Sequence, residues 1–327
     1  MRRRAFIAGL GSAAAWPLPA RAQQRRMPVV GFVSGFSATD SIEYLAYFRQ
    51  GLAELGYVGG HNLAIEFRWA DGHFDRLPSM VADLVQRQVD VIVIPNTTAT
   101  AIAAKEATQT IPVVFQLGSD PVNVGLVASL NRPGGNLTGI VALQTAVIAK
   151  RLQLLLDLVP GAKLIGFLVN PANRALADAD TTEAQAAARA LGVNLLVVDA
   201  SSPSEIDEAF STLMRHRADA FLTNSEYYFM IQRVQFAVLA ARYGIPAIYA
   251  YRENALAGGL MSFGADILDT ARVTAGYTGR ILKGEKPADL PVQQVTKVEL
   301  VINMRTGKAL GLTFPLTLLG RADTVLE

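Results

Sequence analysis

The chain has 327 residues, 51% hydrophobic and 18% charged, with 30 Lys and Arg against 28 Asp and Glu and no cysteine. That composition supports one large or two medium globular cores and excludes a disordered, collagen-like or coiled-coil chain. Disulfide and thiolate chemistry are excluded as well. The histidines His61, His73 and His216 are too scattered to suggest a metal cluster, so no metal and no cofactor are expected.

The first 22 residues carry Arg2, Arg3, Arg4 and Arg21 and no acidic group. The basic start, the apolar stretch from Ala5 to Trp16 and the small-residue pattern Ala20-Arg21-Ala22 predict a signal peptide over 1–22, cleaved before Gln23. Its apolar stretch is too short to span a bilayer. Arg3-Arg4-Ala5-Phe6-Ile7 also resembles a twin-arginine export signal. Without those four arginines the chain holds 26 basic against 28 acidic residues, a net charge of −2. With no basic stripe, no nucleic-acid partner is expected.

Short apolar runs then alternate with helical patterns, the layout of βα units around parallel sheets, so the fold class is α/β. In the first half, strands are predicted over 28–33, 63–69, 89–95 and 111–117. Helices are predicted over 40–55, with Asp40 as a candidate N-cap and Gly56 at the end, over 75–87 and over 97–108. The continuous run Val91-Ile92-Val93-Ile94 suits a strand buried on both faces. The layout begins again after Gly139, with strands at 164–170, 194–199, 218–224 and 245–251 and helices at 145–158, 173–191, 204–216 and 227–243. Two similar halves of ordinary domain size follow. The stretch 258–327, with two more strands and two more helices, is too small for a third core and must be shared between them.

Parallel sheets bind ligands beyond the C-terminal ends of their strands, where loops lead into helix N-termini. The loops at those positions contain Ser34 and Phe36, Asn96, Thr97 and Thr98, Ser119 and Asp120, Asn170, Asn224 and Glu226, and Tyr251 and Arg252. Hydroxyl and amide groups, a carboxylate and aromatic rings together suit recognition of a small molecule. The same residue types also serve as ordinary caps: Thr98, Ser119 and Asp120 each have a capping role open to them. Arg252 is open to two readings, a ligand carboxylate partner or an ion pair near a hinge. Phe36, Tyr227, Tyr228 and Tyr251 suit stacking on an aromatic ligand or packing between lobes. No Gly-x-Ser-x-Gly, His-Glu-x-x-His or phosphate-loop pattern occurs, so no catalytic residue is assigned.

Asp120-Pro121-Val122, Gly125-Leu126-Val127, Arg132-Pro133-Gly134-Gly135-Asn136 and Thr138-Gly139 form one block of a longer pattern. Gly258-Gly259-Leu260-Met261-Ser262-Phe263-Gly264 and Ile281-Leu282-Lys283-Gly284-Glu285-Lys286-Pro287 form two more, and Leu300-Val301-Ile302-Asn303 with Ala309-Leu310-Gly311-Leu312 completes it. The pattern resembles that of ABC-transporter substrate-binding proteins, whose fold is similar to the type I periplasmic binding proteins. Asn254, Leu256, Val295 and Val298 depart from it.

The resemblance implies two doubly wound parallel-sheet lobes joined by three crossover strands, near 140–145, 249–253 and 287–297. Lobe one is then expected over 28–141 plus 252–287 and lobe two over 142–251 plus 288–327. It further implies a periplasmic monomer that captures a small molecule in the interlobe cleft by hinge closure and delivers it to an ABC permease in the inner membrane. Relatives that bind tryptophan and other aromatic amino acids make an amino acid or aromatic compound the expected ligand. The hydroxyls of lobe one suit its carboxylate, and Asp120 an amine. Two other roles are alternatives: a ligand-binding accessory of a sensor or chemoreceptor, which predicts the same pocket and fold, and an exported enzyme using Asp120 and Glu226 as a carboxylate pair, for which catalytic motifs are absent.

Overall fold

The computed structural model describes residues 26–95, 97–142 and 147–327; the leader lies outside them. Its first half runs β1 (Val29–Ser34), α1 (Ile42–Glu54), β2 (Ala64–Trp69), α2 (Leu77–Gln86), β3 (Val91–Pro95), α3 (Thr98–Ala107), β4 (Val113–Leu117) and β5 (Leu137–Val141). The second half runs α4 (Ile148–Leu158), β6 (Leu164–Val169), α5 (Arg174–Leu191), β7 (Asn194–Asp199), α6 (Pro203–Arg215), β8 (Ala220–Thr223), α7 (Tyr227–Ile231), α8 (Arg233–Tyr243) and β9 (Ala247–Tyr249). The remainder holds α9 (Arg252–Leu256), β10 (Met261–Gly264), α10 (Ile267–Leu282), β11 (Gln293–Gln294), β12 (Glu299–Asn303), α11 (Met304–Ala309), α12 (Leu316–Leu319) and β13 (Thr324–Leu326).

Among the described residues these strands form two sheets. The first has the order β11-β5-β4-β3-β1-β2 and is parallel throughout. In the second, β13-β12-β10-β9-β8-β6-β7, only the β10–β12 pair is antiparallel. Every residue of the interior strand β3 is buried, while the edge strand β2 is half-buried along its length, as expected when helices cover both faces of a parallel sheet. Apolar clusters fill both faces of each sheet. A smaller cluster, containing Phe36, Tyr227, Met230, Tyr251 and Ile267, joins the two lobes.

The eight strands expected in the two halves are present, each end within two residues of its predicted position. Strand β5 was not among them, because Gly139 at its centre weakens the strand pattern. The register explains that glycine: Gly139 sits opposite Phe115, and a Cβ there would lie 2.0 Å from the Phe115 carbonyl oxygen. The turn before it uses Gly134 at φ 82°, where a side chain would be strained. Two helical expectations also change. Asp40 does not cap α1, because its carboxylate instead accepts hydrogen bonds from the Ser37 amide and hydroxyl at 3.1 and 2.6 Å. The helix expected over 227–243 is divided at Gln232 into α7 and α8.

The chain passes between the sheets after Val141, after Gly264 and after Gln294. The second passage corrects the expected one at 249–253. After β9 the single-turn helix α9 returns the chain to the same sheet, where β10 pairs with β9 and β12. Residues 252–264 therefore belong with lobe two, and α10 with lobe one, where it packs on α1 and β4. The third passage lies within 287–297, but β11 pairs with β5, so the chain up to Gln294 belongs with lobe one.

Candidate functional site

The C-terminal ends of β3 and β4 in lobe one face those of β8 and β9 in lobe two across a narrow cleft. Thr98, Gln116, Leu117, Gly118 and Ala142 line it from one side, and Asn173, Leu176, Ser225, Tyr227 and Tyr251 from the other, with Ile267 of α10 at its edge. The cavity left between the walls is about 10 Å³, room for about one water molecule.

On the lobe-one side, hydroxyls gather at the start of α3. Thr98 and Ser119, both buried, share a hydrogen bond of 2.8 Å between their Oγ atoms. The Thr97 hydroxyl donates to the Pro95 carbonyl at 3.3 Å, and the Ser34 hydroxyl accepts from the Phe36 amide at 3.1 Å. Behind them the Gln116 carbonyl oxygen accepts from the Tyr44 hydroxyl at 2.6 Å. Burial holds the Tyr44 phenol well above its ordinary range, so it remains a donor.

The lobe-two side is built on buried charge. Arg151 of α4 is fully buried, donating to the Thr223 carbonyl at 3.2 Å and to the Ser225 hydroxyl at 2.7 Å. Burial draws its guanidinium down to about 10, against the opposing pull of the Asp180 carboxylate. Asp180 accepts from the Ser225 amide at 3.0 Å, and the Tyr251 hydroxyl donates to the Ser225 carbonyl at 2.7 Å. The loop after β8 is thus fixed from α4, α5 and the end of β9 together. Next on that loop, Glu226 accepts from the Asn173 side-chain amide at 2.9 Å. Burial, opposed by hydrogen bonds and aided by nearby Asp180, pushes its carboxyl up to about 7.

The lobes meet around this cleft. The Phe36 and Tyr227 rings lie 5.2 Å apart, Arg233 of α8 pairs with Glu43 of α1 at 3.1 Å, and the Tyr227 hydroxyl reaches the Asp40 carbonyl at 3.5 Å. Nearby, Glu253 is buried among Asp266, Arg252 and Glu43, and desolvation raises its carboxyl to about 7.

Of the residues singled out from sequence, Thr98 and Tyr251 line the cleft, Ser119 bonds directly to Thr98, and Glu226 stands behind Asn173. Phe36 packs against Tyr227 across the lobes. Asn224 is buried beside Glu226 in the chain, with both side-chain polar atoms unpartnered. Ser34 and Thr97 are engaged in their own loops, and Asn170 accepts from the Ala172 amide and the Ser201 hydroxyl. Asp120 caps the turn that follows it, accepting from the Val122 and Asn123 amides at 2.8 and 3.3 Å. Arg252 forms an ion pair with Glu299 at 2.8 Å and lies 3.9 Å from Asp266. Asn96 is outside the described residues. Sequence reading missed Gln116, Arg151, Asn173 and Asp180. For two of them a signal existed: Arg151 shares a helical stripe with Ile148, Leu155 and Leu158, and Asp180 with Ala177, Ala184 and Ala187.

A family model described as ABC transporter substrate binding protein matches residues 26–326. A tyrosine-binding protein of Clostridioides difficile (strain R20291) is 28% identical over 263 residues, 80% of this chain and 75% of that one. Among solved structures, an ABC domain in complex with L-Trp from Streptococcus pneumoniae superposes with a TM-score of 0.78 at 26% identity, covering 91% of this chain and 100% of the other. A conserved domain protein from Vibrio cholerae gives a TM-score of 0.81 at 26% identity, covering 92% and 100%.

Proposed function

Given that the chain belongs to the ABC transporter substrate-binding protein family, we propose that it captures an amino acid or a related aromatic compound between its lobes and presents it to an inner-membrane permease. The fold is that of the type I periplasmic binding proteins. The observation that carries the proposal is the cleft itself, walled by both sheets at their C-terminal ends and lined by groups from both lobes. A ligand touching both walls gains contacts that exist only when the lobes are together, so binding shifts the population towards the closed form. The hydroxyls of Thr98 and Ser119 at the start of α3 suit a carboxylate, and Tyr227 and Tyr251 suit an aromatic side chain. The tyrosine-binding relative and the L-Trp complex support this ligand class. The protein acts as a periplasmic monomer, exported by the leader over 1–22 through the twin-arginine route.

A thermal-shift screen of the chain from Gln23 tests the capture reading, with amino acids, aromatic acids, purines, sugars and short branched acids as probes. A ligand at a hundred times its Kd adds about 2.7 kcal/mol of stability, a rise of several degrees in Tm. The expected result is a rise with aromatic amino acids. Shifts confined to sugars or purines reject the ligand class, and a flat response to every probe rejects capture.

A further inference from the structure

We propose that Glu253 is a proton-operated latch between the lobes, which lets them close when it is protonated and drives them apart when it is ionised. The inference rests on the hinge motion of the capture reading and adds what sets its balance. Glu253 lies in α9, on the lobe-two side of the passage that follows Gly264. It is 7% exposed; its own backbone amide donates to its carboxyl, while Oε2 is buried without a hydrogen-bond partner.

The charges acting on Glu253 come from both lobes. Asp266 at the start of α10 and Glu43 of α1, both in lobe one, oppose its ionisation, and only Arg252 beside it favours the charge. That arginine is already taken: Glu299 of β12 holds it at 2.8 Å, and Asp266 lies 3.9 Å from it. Of the other elements packed on α9, α8 brings Arg233, committed to Glu43 at 3.1 Å, β9 brings Tyr249, whose phenol burial keeps neutral, and β10 carries no titratable side chain. Tyr227 of α7, which meets Phe36 across the lobes, is neutral for the same reason, with Glu253 and Glu43 adding to the effect. Closing the lobes therefore takes water from Glu253 and sets it against Glu43; opening reverses both. Burial, with Asp266 and Glu43 adding to it, raises the carboxyl from 4.5 to about 7 in this arrangement. The closed form thus holds a proton that the open form releases, so closure is favoured at acid pH and that advantage is lost as pH rises through about 7.

The test is small-angle X-ray scattering from the ligand-free chain from Gln23 across pH 5.5 to 8, for the native protein and Glu253→Gln. In the native protein the ratio of closed to open molecules is expected to fall by up to about thirtyfold over that range, so the radius of gyration is larger at pH 8 than at pH 5.5. Glu253→Gln, which cannot ionise, is expected to keep the compact value at both ends. A native radius that does not change with pH overturns the proposal, and so does an expansion that persists in the variant, which would belong to another group such as Glu226. Should Glu253→Gln fold poorly, Glu43→Gln decides: removing the like charge in lobe one is expected to move the midpoint of the expansion to lower pH, and an unmoved midpoint overturns the proposal. The measurement uses no solute, so a protein that binds none of the screened compounds loses the capture reading while the latch stands or falls on its own result.

Discussion

Glu226→Gln has a consequence for stability whose sign follows from the burial of the carboxyl. The carboxyl is raised from 4.5 to about 7, chiefly by burial, with nearby Asp180 acting in the same direction. Between those values the folded chain keeps a proton that the unfolded chain releases, so stability falls as pH rises through the window. Every tenfold difference in proton affinity between the folded and unfolded chain is worth about 1.4 kcal/mol, so the native protein without ligand loses up to about 3 kcal/mol between pH 4 and pH 8 on account of this one group. Glutamine does not ionise, and its side-chain oxygen still accepts from Asn173. The variant is therefore expected to be the more stable protein at pH 8, by up to about 3 kcal/mol, and to match the native chain at pH 4. Urea unfolding at pH 4, 6 and 8, followed by circular dichroism, measures the difference from the midpoints at constant slope. A variant less stable than the native chain at pH 8, or a difference independent of pH, would refute the reasoning, because the site would then stabilise the ionised carboxylate.

Two other perturbations address the parts that hold the cleft. Arg151→Met keeps most of the side-chain volume but removes the donors to Thr223 and Ser225, leaving buried acceptors without a cation, and is expected to destabilise by about 3–5 kcal/mol; a change below about 1 kcal/mol in urea unfolding would show that the loop is held by other means. Arg233→Ala breaks the partly exposed pair with Glu43 across the lobes, so ligand affinity should fall by no more than about fivefold in calorimetry, and a larger loss would mean that this pair dominates closure.

The parts of the fold legible in the sequence are those where burial and periodicity coincide. Val91-Ile92-Val93-Ile94 announces an interior strand because both of its faces are covered, and the structure buries every residue of β3. The loops at the strand ends were legible for the same reason, since parallel strands fix the edge on which they emerge. Strand β5 was not, because its central Gly139 answers to the neighbouring Phe115 backbone and not to any property of its own segment. Nor was the passage after Gly264: β10 is a four-residue strand, and only its pairing with β9 and the antiparallel β12 assigns it to lobe two. Arg151 and Asp180 were hidden by their residue types, since charged side chains on amphipathic helices read as solvent-facing unless the stripe they occupy is checked. Asp120 and Arg252 were visible but ambiguous, and what resolves their surroundings is contact with Val122, Asn123 and Glu299, which spacing in one sequence does not encode.

The contacts between the lobes bear on how capture works. The Phe36–Tyr227 ring pair, the Arg233–Glu43 ion pair and the 3.5 Å contact from Tyr227 to the Asp40 carbonyl are among the contacts that the described side chains make between the lobes. An aromatic pair contributes about 0.5–1.5 kcal/mol beyond its buried area and an exposed ion pair about 0–1 kcal/mol. The buried cluster of Phe36, Tyr227, Met230, Tyr251 and Ile267 adds apolar packing to these contacts. On the proposed mechanism the ligand adds to these contacts by meeting Thr98 in lobe one and Tyr251 in lobe two at once. The walls it meets are already set: Arg151, Asp180 and Tyr251 hold the Ser225 segment from three directions, so little ordering remains to be done on binding. On the proposed mechanism, preset walls leave the solute to tip the balance between open and closed lobes, which lets a permease distinguish the loaded protein from the free one.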